Sequence, residues 1–227
     1  DPAMRTPRGE LKPLGRICLA ARNVFSGLRY SLYTAIHPFD GFYEIRHGNR
    51  GNAAAAVVIL GLMTLTYVTM RQYTGFIFNT RDLAKLNIYT ELASVLIPFS
   101  LWCLVNWALT TLMDGKGRLR DIFVSSAFAL VPMIIINIPL TVVSNFLIAE
   151  EGMYFYLIGT IAAVWTVLLL LIGNMVIHDY TFGKTGATAV LTLAGIAFVL
   201  FLGVLFVSLV NTMIGFARGL YVEIIFK

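Results

Sequence analysis

The sequence predicts an all-α, polytopic membrane protein: five transmembrane helices preceded by an amphipathic interfacial helix. Three observations carry that reading. Hydrophobic side chains make up 58% of the 227 residues and charged ones 13%, whereas charged residues approach a quarter of an ordinary soluble domain. The apolar residues are gathered into five runs, each near or above the ~20 residues that cross a bilayer core. Two of these runs, one ending at Met113 and the next starting at Ile122, are joined by the eight residues DGKGRLRD (114–121), five of them charged. A loop that short forces an antiparallel return. Its excess of Lys116, Arg118 and Arg120 over Asp114 and Asp121 assigns it to the cytoplasm.

In chain order, residues 1–13 (DPAMRTPRGELKP) hold three prolines and three basic residues and read as a flexible tail. No short apolar core with a small-residue cleavage site precedes Ala53, so a cleaved signal peptide is not expected. Residues 14–52 read as a cytoplasmic amphipathic helix followed by an elbow. Leu14, Ile17, Cys18, Ala21, Phe25, Leu28, Leu32 and Ile36 recur at helical spacing on one face, with Arg22 and Arg29 at its edge and Arg16 further round. That layout suits a helix lying on the membrane surface, with Phe25, Leu28 and Leu32 down and the arginines reaching the headgroups. A helix docked on a partner's soluble surface would show the same periodicity. Pro38 then stops the helix and starts another; Phe39, Phe42, Tyr43 and Ile45 give it an apolar face, and Gly48 and Gly51 end it.

Residues 53–227 form the five-span domain. The spans are expected at about 53–70 (with a continuation toward 78), 92–113, 122–148, 154–177 and 186–216. Pro98, Pro132 and Pro139 fall inside spans, where kinks are expected. Of the 17 Lys and Arg, eight precede Ala53, three lie in the 114–121 loop and one lies at 178–185. Arg71, Arg81, Lys85, Arg218 and Lys227 fall on the other side. The protein is therefore expected in the cell membrane as a multi-pass chain, N-terminus cytoplasmic and C-terminus outside.

The formal charge of +5 does not point to nucleic acid, because no basic run interleaved with aromatics stands on a soluble domain. Cys18 and Cys103 lie far apart and suggest neither disulfide nor metal site. His37 and His47 make no zinc pattern, and Gly115-Lys116-Gly117 has no P-loop around it. His178-Asp179 has no partnered nucleophile. No catalytic, cofactor or metal residue is assigned, and no enzyme activity is expected.

No span carries a charge near its middle, which argues against ion-coupled pumping. What the spans hold instead is amides and small residues. Asn106, Asn137, Asn174 and Asn211, with Gly215 and Gly219 on the last helix, fit interhelical packing or contact with a partner helix. The alternative is that the asparagines line a path for a neutral solute.

With those residues in view, the chain resembles the Yip-type family, named for binding Ypt/Rab GTPases. The likeness rests on HPFDGFYEIRHG (37–48) and NWALTTLMDGKGRLRDIFVSSAFALVP (106–132), and it covers roughly residues 36–216. The long N-terminal domain and tyrosine-glycine signature of eukaryotic members are missing here, which favours the bacterial branch. The resemblance implies a non-enzymatic accessory or scaffold subunit that contacts the lipid bilayer and binds other integral membrane proteins. For bacterial members these would be the permease subunits of a carbohydrate ABC importer. A small channel or a membrane-shaping protein remain as alternatives.

Overall fold

Each helix starts or stops where the local sequence supplies a cap or a break. The computed structural model describes residues 13–48, 50–79 and 87–225; apart from Pro13, the tail expected over 1–13 lies outside them, as do Arg81, Lys85 and Lys227. Eight α-helices follow one another: α1 (Pro13–Ile36), α2 (Pro38–His47), α3 (Ala53–Tyr73), α4 (Ile88–Leu112), α5 (Leu119–Ala129), α6 (Val131–Val143), α7 (Gly152–His178) and α8 (Phe182–Ile225). Pro38 sits in the first turn of α2, where its missing N–H costs nothing. Asn52 and Asn87 cap α3 and α4, their side-chain oxygens accepting from Ala54 N and Tyr89 N, both at 3.0 Å.

Five helical segments are long and apolar enough to span a membrane: α3, α4, α5 with α6, α7, and α8 as far as Gly219. The third is broken at Leu130, two residues before Pro132, because proline there withholds an amide from the preceding turn. Pro98 and Pro139 stay inside continuous helices. The third span stops at Val143 rather than 148, because the chain turns at Ser144 and Asn145. There Gly75 N donates to Ser144 Oγ at 2.9 Å and Asn145 Nδ2 donates to Tyr73 O at 2.9 Å, stitching α6 to the end of α3.

The core is built around α5, whose residues from Val124 to Ala129 are all buried. It packs on α7 and α3, while α6 packs on the same two helices and α8 leans on α4 and, less, on α7. Small side chains at Ser125, Ser126, Ala127 and Ala129 let neighbouring backbones approach closely, which is how helices associate in lipid. The contrast with α8 is large: 56% of the most apolar stretch of the third span is buried inside the protein, against 6% for α8. From Ala197 to Gly219 α8 is exposed nearly all round.

The helix α1 packs against the spans. Gly27 touches Ala55 and Asn52 at the start of α3, but Trp165, well inside α7, donates from Nε1 to Ala35 O at 3.2 Å. Beyond His37 the chain turns back: Phe42 packs on Gly173, and Arg46 reaches Val176 O at 3.2 Å. From Trp165 to Val176 is roughly 16 Å of helix axis at 1.5 Å per residue. The second half of α1 and all of α2 thus form a re-entrant hairpin that runs down beside the spans and back up.

Its inward face is small and polar, with Ser31 and Thr34 buried and their hydroxyls bonded to Leu28 O (2.7 Å) and Tyr30 O (3.0 Å) within α1 itself. The apolar face read from the sequence points away from the bundle: Phe25, Leu32 and Ile36 are exposed and Leu28 half-buried. In a bilayer that is the stable arrangement, since lipid accepts the apolar stripe and the hydroxyls need no outside partner.

Candidate functional site

The 114–118 turn, the end of α2 and the α7–α8 turn meet at one end of the bundle, and their polar side chains close on one another. Asp179 is the centre. It caps α7 in the left-handed conformation (φ 55), which Asp tolerates better than most residues. That geometry holds its carboxylate 2.7 Å from Arg46 Nη1 and 3.3 Å from Lys116 Nζ. The two cations, Arg46 first, keep the Asp179 carboxyl below its ordinary range.

Gly117 N donates to His178 Nδ1 at 3.3 Å, and the Tyr180 hydroxyl donates to Met113 O at 3.1 Å. Lys184 Nζ stands 4.4 Å over the Tyr180 ring. A Cβ at Gly115 or Gly117 would strike the His178 ring, so glycine on both sides of Lys116 is a packing requirement of this clasp.

Directly inward, Asn106 Nδ2 donates to Asn174 Oδ1 at 3.3 Å, joining α4 to α7. The pair lines a small pocket with Trp102, Ser126 and His178. Asn106 Oδ1, Asn174 Nδ2 and His178 Nε2 are buried there without a protein partner. The pocket leaves about 10 Å³ for the centre of a water molecule, which is room for a single water and far from a solute path.

The other residues singled out in the sequence are dispersed. Asn137 is buried in α6. Asn211, Gly215 and Gly219 lie on exposed α8, and nothing comes within 4 Å of a Cβ placed at either glycine. Arg118 is the exposed residue before α5, and Arg120 donates to Gly51 O at 3.2 Å. Arg22 and Arg29 are exposed, and Arg16 lies where only the helical backbone is described.

Arg46, His178 and Asp179 were not read as partners of the 114–121 loop, because their pairing crosses the chain. The glycines flanking Lys116 were the available signal. At the opposite end Arg71 Nε lies 3.3 Å from Glu91 Oε2, a largely buried ion pair between α3 and α4. Among the described residues, no group of three or more His, Cys, Asp or Glu side chains is placed to hold a metal ion. The site is a clasp: it holds three chain segments together.

The family model of the Yip1 domain matches residues 32–217, from the descending half of α1 into α8. Neither a curated protein nor a solved structure matches the chain.

Proposed function

The chain belongs to the Yip1 domain family, and from that premise we propose that it is a non-enzymatic integral membrane accessory or scaffold subunit that binds other membrane proteins. The observation that carries this reading is how the polar and apolar surfaces are distributed. The span amides Asn106 and Asn174 bond each other beside a pocket too small for a solute path, while α8 offers a long bare apolar surface. A protein that closes its polar interior and leaves a helix unpacked is built to be packed against.

In the finer reading the partner is the permease of a carbohydrate ABC importer in a bacterial cell membrane, as the family resemblance implies. The N-terminus is cytoplasmic in this reading. The basic segments counted on that side gather at one end: Arg46, Lys116, Arg118, Arg120 and Lys184. Purification in mild detergent with identification of co-eluting proteins tests the proposal. Permease subunits at fixed stoichiometry support it, and a chain that elutes alone counts against it.

A second reading, membrane shaping, is favoured by the re-entrant α1–α2 hairpin, which would add volume to one leaflet only. Tubulation of liposomes by the purified chain, lost when Ile36 and Phe39 at the hairpin tip are changed to Ser, would favour it over the subunit reading.

A further inference from the structure

Where α1 emerges beside the start of α3 there is a cavity of about 710 Å³ lined by Asn23, Ser26, Arg29, Tyr33, Arg50 and Asn52, with Gly27 and Tyr30 at its floor. Ligand cavities commonly run from about 300 to 1,000 Å³. Its lining carries two guanidinium groups and no carboxylate. Arg50 is held in place by Glu44 Oε2 at 3.0 Å and by the Tyr30 ring at 5.7 Å. Asn52 is committed, its Oδ1 to Ala54 N and its Nδ2 to Asn23 O. The Arg29 guanidinium, the Ser26 and Tyr33 hydroxyls and the Asn23 side-chain amide have no partner among the described residues. The cavity is therefore a set of free donors around net positive charge, which is the chemistry of a phosphate site.

Its position narrows the source of the phosphate. Gly27, in the cavity floor, touches the first turn of α3, which is where that span leaves the hydrocarbon. Below it Tyr33 stacks between Tyr30 and His37, with ring centroids 5.9 and 4.8 Å apart. This aromatic ladder descends toward the hairpin tip and gives an acyl chain a surface to lie along. We infer that this cavity is a binding site for the phosphate of an anionic phospholipid, held between Arg29 and Arg50 with its chains along the Tyr30–Tyr33–His37 face of the re-entrant hairpin.

The test uses the full chain in nanodiscs of phosphatidylcholine with a minor fraction of phosphatidic acid, reading lipid retained on the protein by native mass spectrometry. The wild type should retain phosphatidic acid in preference to phosphatidylcholine. Arg29→Gln should lower that preference by about fivefold, the equivalent of one basic residue beside anionic lipid. This variant keeps the fold in play, because Arg29 makes no contact that a glutamine would break; Arg50→Gln serves as a second variant whose melting temperature must be checked.

Arg118→Gln removes a basic residue at the same end but outside the cavity, and should leave the preference unchanged. An equal loss from Arg118→Gln would reduce the effect to diffuse charge and overturn the site. A second arm adds inorganic phosphate and glycerol phosphate to protein in zwitterionic nanodiscs. A melting-temperature rise matching that given by phosphatidic acid would assign the cavity to a soluble phosphate and overturn the lipid. Absence of any preference in the wild type would overturn both.

Discussion

Asn106 and Asn174 stand opposite each other across α4 and α7, so a substitution at either one unpairs the other. Leucine at a single position leaves the remaining amide buried without its partner. Asn106→Leu or Asn174→Leu should each destabilise by about 1–3 kcal/mol, and the double variant by clearly less than their sum. Thermal unfolding in detergent checks this, and strict additivity would mean that the bond contributes nothing. Asp179 gives a pH-dependent counterpart. Its carboxyl is depressed by Arg46 and Lys116, so its stabilising contribution is present above the ordinary carboxylate range and is lost as pH falls through the lower folded value. The melting-temperature gap between wild type and Asp179→Asn should therefore be open at neutral pH and close in strong acid. Asn106 and Asn174 were legible as span amides, since polarity inside an apolar run is visible in one sequence. That they bond each other, and that His178 accepts from Gly117, depends on contacts more than sixty positions apart, which periodicity does not encode.

Among the elements, the re-entrant hairpin and α8 carry most of the consequence. Gly173 admits the Phe42 ring, which is fully buried. Gly173→Val should push α2 off α7, and limited proteolysis after Arg46 should then accelerate while the spans stay folded. Gly215→Leu with Gly219→Leu should behave oppositely: no loss of thermal stability, since nothing lies near either position, but loss of a co-purifying partner. The five spans were legible because long apolar runs have few alternatives, and the break before Pro132 because proline withholds an amide. The hairpin was hidden for a physical reason. An apolar stripe facing lipid has the same spacing as one facing a surface, and nothing in the spacing shows that the Ser31 and Thr34 hydroxyls satisfy themselves within the helix. The length of α8 was hidden too, because no proline stops it and Gly215 and Gly219 lie inside the helix rather than ending it.

Over the whole molecule, three chain segments are clasped at the basic end, the buried amides Asn106 and Asn174 bond each other, and one long helix is left bare. The orientation of this assembly is checked by cysteine labelling. Gly117 is unsuitable, since a Cβ there would meet His178, and Gly152 would meet Phe78. Arg118→Cys and Met153→Cys, both exposed, in a chain without Cys18 and Cys103, serve instead. Only the second should react with a membrane-impermeant thiol reagent in intact cells. The central claim, that the bare helix is covered by another membrane protein, is tested most directly by a photo-crosslinking residue at Gly215 in native membranes. A discrete adduct with another integral membrane protein is expected, abolished by Gly219→Leu. Adducts with lipid alone, unchanged by Gly219→Leu, would contradict it.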